Sequence, residues 1–141
     1  MIFILSISAR VATAQTTTLR TKQEEGKYTL ENCLNRFDRP KSVATTVGYQ
    51  YWFIPQKFLG DGLTVKMSVA GPNQATHAPH HHDGDEIFFV LEGSARFHLN
   101  GQTATGNAYS SFYCPEGSEH GISNAGSDTL KYLVIRKYPA K

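Results

Sequence analysis

The chain has 141 residues, with 14 basic and 12 acidic side chains and a formal net charge of +2 at pH 7. This length suits one domain with its own hydrophobic core. Because the charges are balanced and interspersed, no basic face for nucleic acid is expected, and no run reaches the roughly eighteen apolar residues of a membrane span. A small molecule is the expected partner.

Residues 1–26 differ in composition from the rest of the chain. Residues 1–7 are almost wholly apolar and Ala12-Thr13-Ala14 resembles a cleavage site, which favours a secretory signal peptide. Basic residues without any acidic residue before Glu24 equally suit an organelle transit peptide, and a wrongly placed start is a third reading. The protein is therefore expected to be secreted or periplasmic, or else cytoplasmic or organellar.

From residue 28 onward, short runs of β-forming residues are separated by turn residues. Residues 63–69, for example, alternate apolar with polar side chains, and Asn100-Gly101 suits a tight hairpin. About nine such runs predict an all-β domain, a sandwich or barrel of two antiparallel sheets. The main predicted strands are residues 49–54, 63–69, 86–91, 95–99, 110–114, a segment from 120, and 129–138.

Two of these strands, residues 87–91 and 130–135, are apolar on both faces apart from Lys131. A sheet with one wet face tolerates such strands poorly, so something should cover the second face. We expect residues 27–62 to form N-terminal strands that cover a barrel built from residues 63–141. The same segment is expected to cross to a partner chain in a homodimer.

The middle of the chain holds four histidines, His77, His80, His81 and His82. Alternate side chains of a strand share a face, so His80 and His82 point the same way and His81 points the other. If the turn at residues 83–85 reverses the chain, Glu86 lies almost opposite His82. Two imidazoles and a carboxylate then converge.

A second predicted hairpin repeats this design, with a turn at residues 115–118 followed by His120. His120 can therefore supply a fourth ligand. Imidazole and carboxylate donors suit a divalent transition metal such as iron, manganese, nickel, zinc or cobalt, and they would be costly to bury with no ion between them. The sequence predicts one metal held by His80, His82, Glu86 and His120.

The same residues carry a family resemblance. The stretch His80-x-His82-x-x-x-Glu86, with Gly93 beyond it, and the stretch Pro115-x-Gly117-x-x-His120-x-x-x-Asn124 resemble the two motifs of the cupin superfamily, in its small conserved-barrel form. The resemblance covers about residues 63–138. It implies a double-stranded β-helix, or jelly-roll, barrel with one metal at its mouth, held by the four residues named above.

Two positions depart from the family pattern. Gln74 stands where the family usually has a glycine six residues before the first histidine ligand, and Tyr109-Ser110 stands where it has a Gly-Asp turn. Both departures concern turns, so they bear on loop shape and not on ligation.

A divalent metal with three neutral imidazoles and one carboxylate would keep two positions open for a bidentate oxygen ligand. With a redox-active metal this predicts a dioxygenase acting on an enediol, catechol or flavonol-like substrate. Two alternatives remain: a zinc or manganese sugar isomerase or uronate-processing lyase, and a non-catalytic barrel that binds a metal and a ligand.

Candidate acid–base groups are Tyr49, Tyr51 and Tyr113, which could instead fill the barrel or a dimer seam. Phe88 and Val90 share the pleat parity of Glu86, so we expect them to form an apolar wall of the substrate cavity, with His77 as a further substrate contact.

The remaining histidines, two aspartates and the cysteines are expected to have no part in the site. His81 and His98 are expected to face outward, and Asp83 and Asp85 to form a solvated turn, because the oxygen spacing of a calcium loop is absent. The two cysteines, Cys33 and Cys114, form no metal-binding spacing and are expected to be ordinary thiols.

Overall fold

The computed structural model describes residues 29–55 and 62–138. The chain divides into two units, with the boundary between Leu34 and Asn35. Among the described residues, the first unit contains the helical turn α1 (Leu30–Cys33), and the second contains the strands and a 3-10 turn (Arg39–Lys41). The predicted signal or transit segment lies outside the described residues. Among the helices that are described, none has the length and apolar character needed to cross a membrane.

Strands dominate the second unit, as the spacing of β-formers and turn residues predicts. They are β1 (Val43–Thr45), β2 (Gly48–Ile54), β3 (Leu63–Ala70), β4 (Glu86–Glu92), β5 (Ser94–Leu99), β6 (Gln102–Asn107), β7 (Ser111–Cys114), β8 (His120–Asn124) and β9 (Leu130–Lys137).

The strands form two antiparallel sheets. The larger has the order β1-β2-β3-β9-β4-β7, and the smaller has the order β6-β5-β8. This confirms the all-β, jelly-roll prediction. The hairpin between β5 and β6 is also confirmed at its turn, where Asn100 and Gly101 both adopt positive φ angles of 47° and 80°.

Tyr109 has φ = 68° and is exposed, so the turn between β6 and β7 keeps a left-handed residue although the chain lacks a glycine there. The backbone N–H of Tyr109 donates to the carbonyl of Val90 at 2.8 Å, which holds this turn against β4. The turn before β7 therefore contains a left-handed residue without a glycine.

The main core lies between the two sheets. Alternate residues of β4 and β9 point inward from the larger sheet, and alternate residues of β5 and β8 meet them from the smaller one. These side chains are almost fully buried and exclude water from the barrel interior. They include Phe88, Val90, Leu130, Tyr132, Ala95, Phe97 and Ile122.

A second apolar cluster lies on the outer face of the larger sheet, where Tyr51 packs with Met67 and Val69. The N-terminal strands β1 and β2 extend this sheet beyond β3 in the plane of the sheet. The cover on their outer face comes from Phe37, whose ring meets that of Tyr51 edge-on at 5.1 Å between centroids.

Candidate metal site

Four side chains with metal-binding donors converge at one end of the barrel, and we refer to His80, His82, Glu86 and His120 as the donor cluster. Glu86 opens β4 in the larger sheet and His120 opens β8 in the smaller one. His80 is tied to His120 by two backbone hydrogen bonds, with N···O distances of 2.9 and 3.0 Å. The cluster therefore draws its donors from both sheets.

The route by which these residues meet differs from the prediction. His80 and His82 lie outside the named strands, with His80 bridged to β8, while Glu86 pairs with Cys114 and Arg136. The turn at residues 115–118 connects β7 of the larger sheet to β8 of the smaller one, so it is not a hairpin within one sheet. The convergence comes from crossing between sheets, which a pattern of alternating residues cannot reveal.

The donor atoms are as close as ligands of a common ion. The Nε2 atoms of His82 and His120 are 3.1 Å apart, and Glu86 Oε2 lies 3.3 Å from His120 Nε2 and 3.6 Å from His82 Nε2. Donors about 2.1 Å from a metal at tetrahedral or octahedral angles are about 3.0–3.4 Å apart. A ring nitrogen of His80 lies within 4.8 Å of the corresponding atoms of His82 and His120.

The hydrogen bonds of His120 explain why a cation fits here. Its Nδ1 lies 2.8 Å from the carbonyl of Ser118 and must carry the proton, because a carbonyl only accepts. In the neutral ring, Nε2 then presents a lone pair to the carboxylate of Glu86, which also only accepts. Two acceptors at 3.3 Å need a proton or a metal ion between them, and the bond to Ser118 orients the ring as a ligand.

Burial adds to this argument. His120 is fully buried and Glu86 is 6% exposed, while the Nδ1 atoms of His80 and His82 are buried without a hydrogen-bond partner within the described residues. Desolvation lowers the pKa of His80, and the neighbouring imidazoles of His77, His120 and His82 lower it further. A neutral His80 is the form that binds a metal. The residues present thus fit a bound metal ion.

Comparison with known proteins decides the family. Residues 67–136 match the family model described as the cupin domain. The barrel is a cupin domain. The recognition drawn from the two sequence motifs is confirmed.

One curated relative is similar to part of the chain. The oxalate-binding protein of Thermotoga maritima is 33% identical over 57 residues, which are 40% of this chain and 47% of that protein. The match thus spans about half the length of this curated relative.

Solved structures show the same fold. A cupin 2 conserved-barrel protein from Salinispora arenicola has a TM-score of 0.61 and 18% identity, over 74% of this chain and 87% of that one. The polyketide cyclase RemF from Streptomyces resistomycificus has a TM-score of 0.61 and 22% identity, over 74% and 79%.

The cupin barrel does not bring the three candidate tyrosines to the donor cluster. Tyr49 and Tyr51 face the outer side of the larger sheet, where the hydroxyl of Tyr51 donates to the carbonyl of Arg36 at 2.8 Å. Tyr113 is 55% exposed on the outer face of β7, beside Asp85, whose hydrogen bond raises the pKa of the phenol. All three have the wrong strand parity, since the inward residues next to Tyr113 are Phe112 and Cys114.

The other predicted contacts are placed differently. Phe88 and Val90 are buried in the main core, and the Phe88 ring lies 6.2 Å from that of His120, so it closes the site toward the core. His77 is exposed, with its ring edge-on to His80 at 4.5 Å.

The loops that carry the donors are fastened to each other by polar residues. The backbone N–H of Glu116 donates to Asp85 Oδ1 at 3.0 Å, and that of Gly117 donates to the carbonyl of His82 at 3.1 Å. His81 is exposed, as expected, and its Nδ1 lies 3.0 Å from the Gly117 carbonyl. The segments before β4 and before β8 are therefore joined to each other by hydrogen bonds.

Asn124 of the second motif has a structural role. Its Nδ2 lies 3.1, 2.9 and 2.6 Å from the carbonyls of Ala70, Gly71 and Asp128. Because the side chain is buried, these contacts satisfy carbonyls that would otherwise lack partners. Asn124 thus joins the end of β3 to the turn before β9.

Two polar residues of the barrel interior were missed by the sequence reasoning, Lys66 and Arg136. Lys66 shares the inward parity of Thr64 and Ser68 on β3, a strand for which the sequence analysis assigned no inward face. Arg136 neighbours Glu86 across the sheet, and its Nη2 donates to the carbonyl of Asp83 at 2.9 Å. One signal in the sequence could have revealed them. The residues of β3 alternate between polar and apolar, whereas strands β4 and β9 are apolar on both faces.

Proposed function

We propose that this cupin is a metal-dependent enzyme that acts on small organic molecules, with the donor cluster as its metal site. One observation carries the proposal: three imidazoles and one carboxylate, drawn from both sheets, converge at one end of the barrel. The Nε2 atoms of His82 and His120 and the Oε2 atom of Glu86 lie 3.1–3.6 Å apart, and a ring nitrogen of His80 lies within 4.8 Å of the two imidazoles. We further propose a dioxygenase that takes an enediol, catechol or flavonol-like substrate through two oxygen atoms.

The protein groups have separate tasks in such a reaction. The Ser118 carbonyl holds His120 in the tautomer that directs Nε2 into the site, and Glu86 supplies the negative charge that a cation needs. Phe88 blocks water from the core side. A bound divalent metal would supply Lewis-acid stabilisation of an enolate or phenolate and, where it is redox-active, electrons for O2 reduction.

A second candidate is non-redox use of the same site, for ligand binding, isomerisation, lyase or cyclisation chemistry. It is favoured by the relatives, since one is named for binding oxalate and another for cyclising polyketides. Both activities suit a site that holds an oxygen-rich ligand without consuming O2.

The metal assignment is tested by elemental analysis of protein purified without added metal. We expect about one divalent ion per chain, and loss of at least about tenfold in affinity in the double variant His82→Ala/His120→Ala. The control is His98→Ala, which removes an imidazole paired with Glu119 outside the cluster. Unchanged metal content in the double variant would refute the site.

The reaction class is tested with an oxygen electrode and a panel of catechols, flavonols, enediols and uronates. Substrate-dependent oxygen uptake by the metal-loaded wild type, absent in the double variant, supports the dioxygenase. A fully loaded protein that consumes no oxygen with any compound of the panel, yet converts or binds one of them, supports the non-redox candidate instead.

A further inference from the structure

The inward face of β3 carries a cation without an assigned role. Thr64, Lys66 and Ser68 alternate along this face; Thr64 Oγ1 donates to the Arg136 carbonyl at 3.0 Å, and Ser68 forms a hydrogen bond with the Tyr132 hydroxyl. Within the described residues, the Lys66 ammonium has no hydrogen-bond acceptor and contacts the ring of Trp52, at 5.2 Å from its centroid. This cation–π contact holds the ammonium inside the barrel.

Lys66 lies close to the donor cluster in the sheet. Lys66 pairs with Val134 of β9, which pairs with Phe88 of β4. Glu86 lies two residues before Phe88 on β4, so it is the next inward-facing residue along that strand. Two strand spacings separate the β3 and β4 backbones, about 10 Å. A lysine side chain and a small organic acid together bridge that distance, and Glu86 acts electrostatically on Lys66.

Lys66 lacks an anionic partner among the described residues. Burial lowers the pKa of Lys66, whereas the carboxylate of Glu86 acts in the opposite direction. No carboxylate among the described residues forms an ion pair with Lys66 within 4.0 Å, and a metal held by Glu86 would take up its negative charge. Arg136 adds a second positive charge nearby. A half-buried cation left in this state is costly unless an anion joins it.

We propose that Lys66 is the residue that makes this site select organic anions, by binding a carboxylate or enolate oxygen of a ligand whose other oxygens reach the donor cluster. The inference rests on the proposed metal site and names its substrate class. Neutral ligands of the metal do not use Lys66. Trp52 acts as a positioning residue, because its ring fixes the direction of the ammonium.

The probe is oxalate, titrated calorimetrically into cobalt-loaded wild type, Lys66→Met and Lys66→Arg proteins. Loss of one charge-assisted contact should weaken oxalate binding by about tenfold or more in Lys66→Met. Lys66→Arg, which keeps the charge, should stay within about threefold of the wild type. The neutral ligand imidazole, followed by the visible spectrum of the cobalt, should bind all three proteins with the same affinity.

The variants separate this inference from the metal assignment. If wild type and Lys66→Met hold equal metal and bind oxalate equally, the role of Lys66 is wrong and the metal site stands. If the wild type takes up no cobalt, both proposals fail. A parallel loss of imidazole and oxalate binding in Lys66→Met would indicate a damaged metal site and would also refute charge selection. Lys66→Gln provides a second neutral variant that keeps a polar group in the barrel.

Discussion

Cys114 ends β7 directly beside the donor cluster, with its Sγ within 4.8 Å of donor atoms of Glu86 and His120. The residue is fully buried, and desolvation, followed by the charge of Glu86, raises the pKa of its thiol to about 12. A thiol that stays protonated is a poor nucleophile, so we expect Cys114 to be unreactive in the metal-free protein.

A thiol titration checks this inertness. At pH 8 we expect Ellman's reagent to modify the exposed Cys33 in the native protein and to modify Cys114 only after unfolding. The Cys33→Ser variant should show almost no native reactivity. The variant Cys114→Ala should react like the wild type, and fast modification of Cys114 in native Cys33→Ser would contradict the burial.

The same pKa shift sets a pH dependence of stability. Because the folded state holds the thiol protonated up to about pH 12 while an unfolded thiol ionises near its ordinary value of 9.0, the wild type should lose stability above pH 9 relative to Cys114→Ala. Below pH 9 the difference in unfolding free energy between the wild type and Cys114→Ala, measured by urea denaturation, should not change with pH.

At the scale of elements, the strand pattern was predictable and the facing of β3 was not. Alternation in residues 63–69 correctly predicts a strand, yet in an open antiparallel sheet the polar residues would face water. Here Thr64 and Ser68 are 2% and 3% exposed, because the polar face of β3 turns inward while Met67 and Val69 lie on the outer face. Which face a sheet turns inward depends on distant strands, so local sequence does not decide it.

For the donor cluster too, one part was predictable from the sequence and another was not. Motif spacing predicted which residues would meet, and the structure brings all four together. The strand argument for His80 and His82 was wrong, because the segment before β4 forms only two isolated bridges to β8, at Ala75 and His80. Residue identity was readable from sequence, whereas the path between the sheets depends on long-range pairing.

The turn between β4 and β5 sets the geometry that follows the first motif, and it depends on Gly93. This glycine has φ = 86°, and a Cβ atom there would lie 2.5 Å from the Thr129 carbonyl oxygen. Gly101 has a similar φ of 80° but open space around it.

Replacing each glycine by alanine should separate strain from crowding. Gly101→Ala should lose about 1–2 kcal/mol of unfolding free energy for its left-handed backbone. Gly93→Ala should lose about 1–3 kcal/mol more, because the backbone near Thr129 must also shift. Urea denaturation of both variants measures the difference, and equal losses would show that the close approach at Gly93 is not a constraint.

At the scale of the whole molecule, an apolar part of the outer surface is not covered by any of the described residues. Ile87 and Leu91 lie on the same face of β4, 39% and 37% exposed, and Tyr113 is the cross-strand partner of Ile87. The N-terminal strands do not cover these residues, since they extend the sheet at its β3 edge. An apolar patch of this kind is typical of a subunit interface.

The homodimer expected from the sequence should therefore use this patch. Light scattering at micromolar concentration should give twice the chain mass for the wild type, and Ile87→Lys should shift the protein toward monomer because it places a charge in the interface. Tyr109→Asn, which removes an exposed aromatic residue from a turn, should leave the mass unchanged. A monomeric wild type would refute the dimer.

The hydrogen bonds between His80 and His120 are formed by their backbone groups. Every residue except proline has both a backbone N–H and a backbone carbonyl. Replacing either histidine by another residue therefore leaves in place the hydrogen bonds that hold the loop to β8. A related barrel can thus replace these histidines, lose or change the metal, and keep the same loop structure at this end of the barrel. In this chain, shape and chemistry at the site can evolve independently.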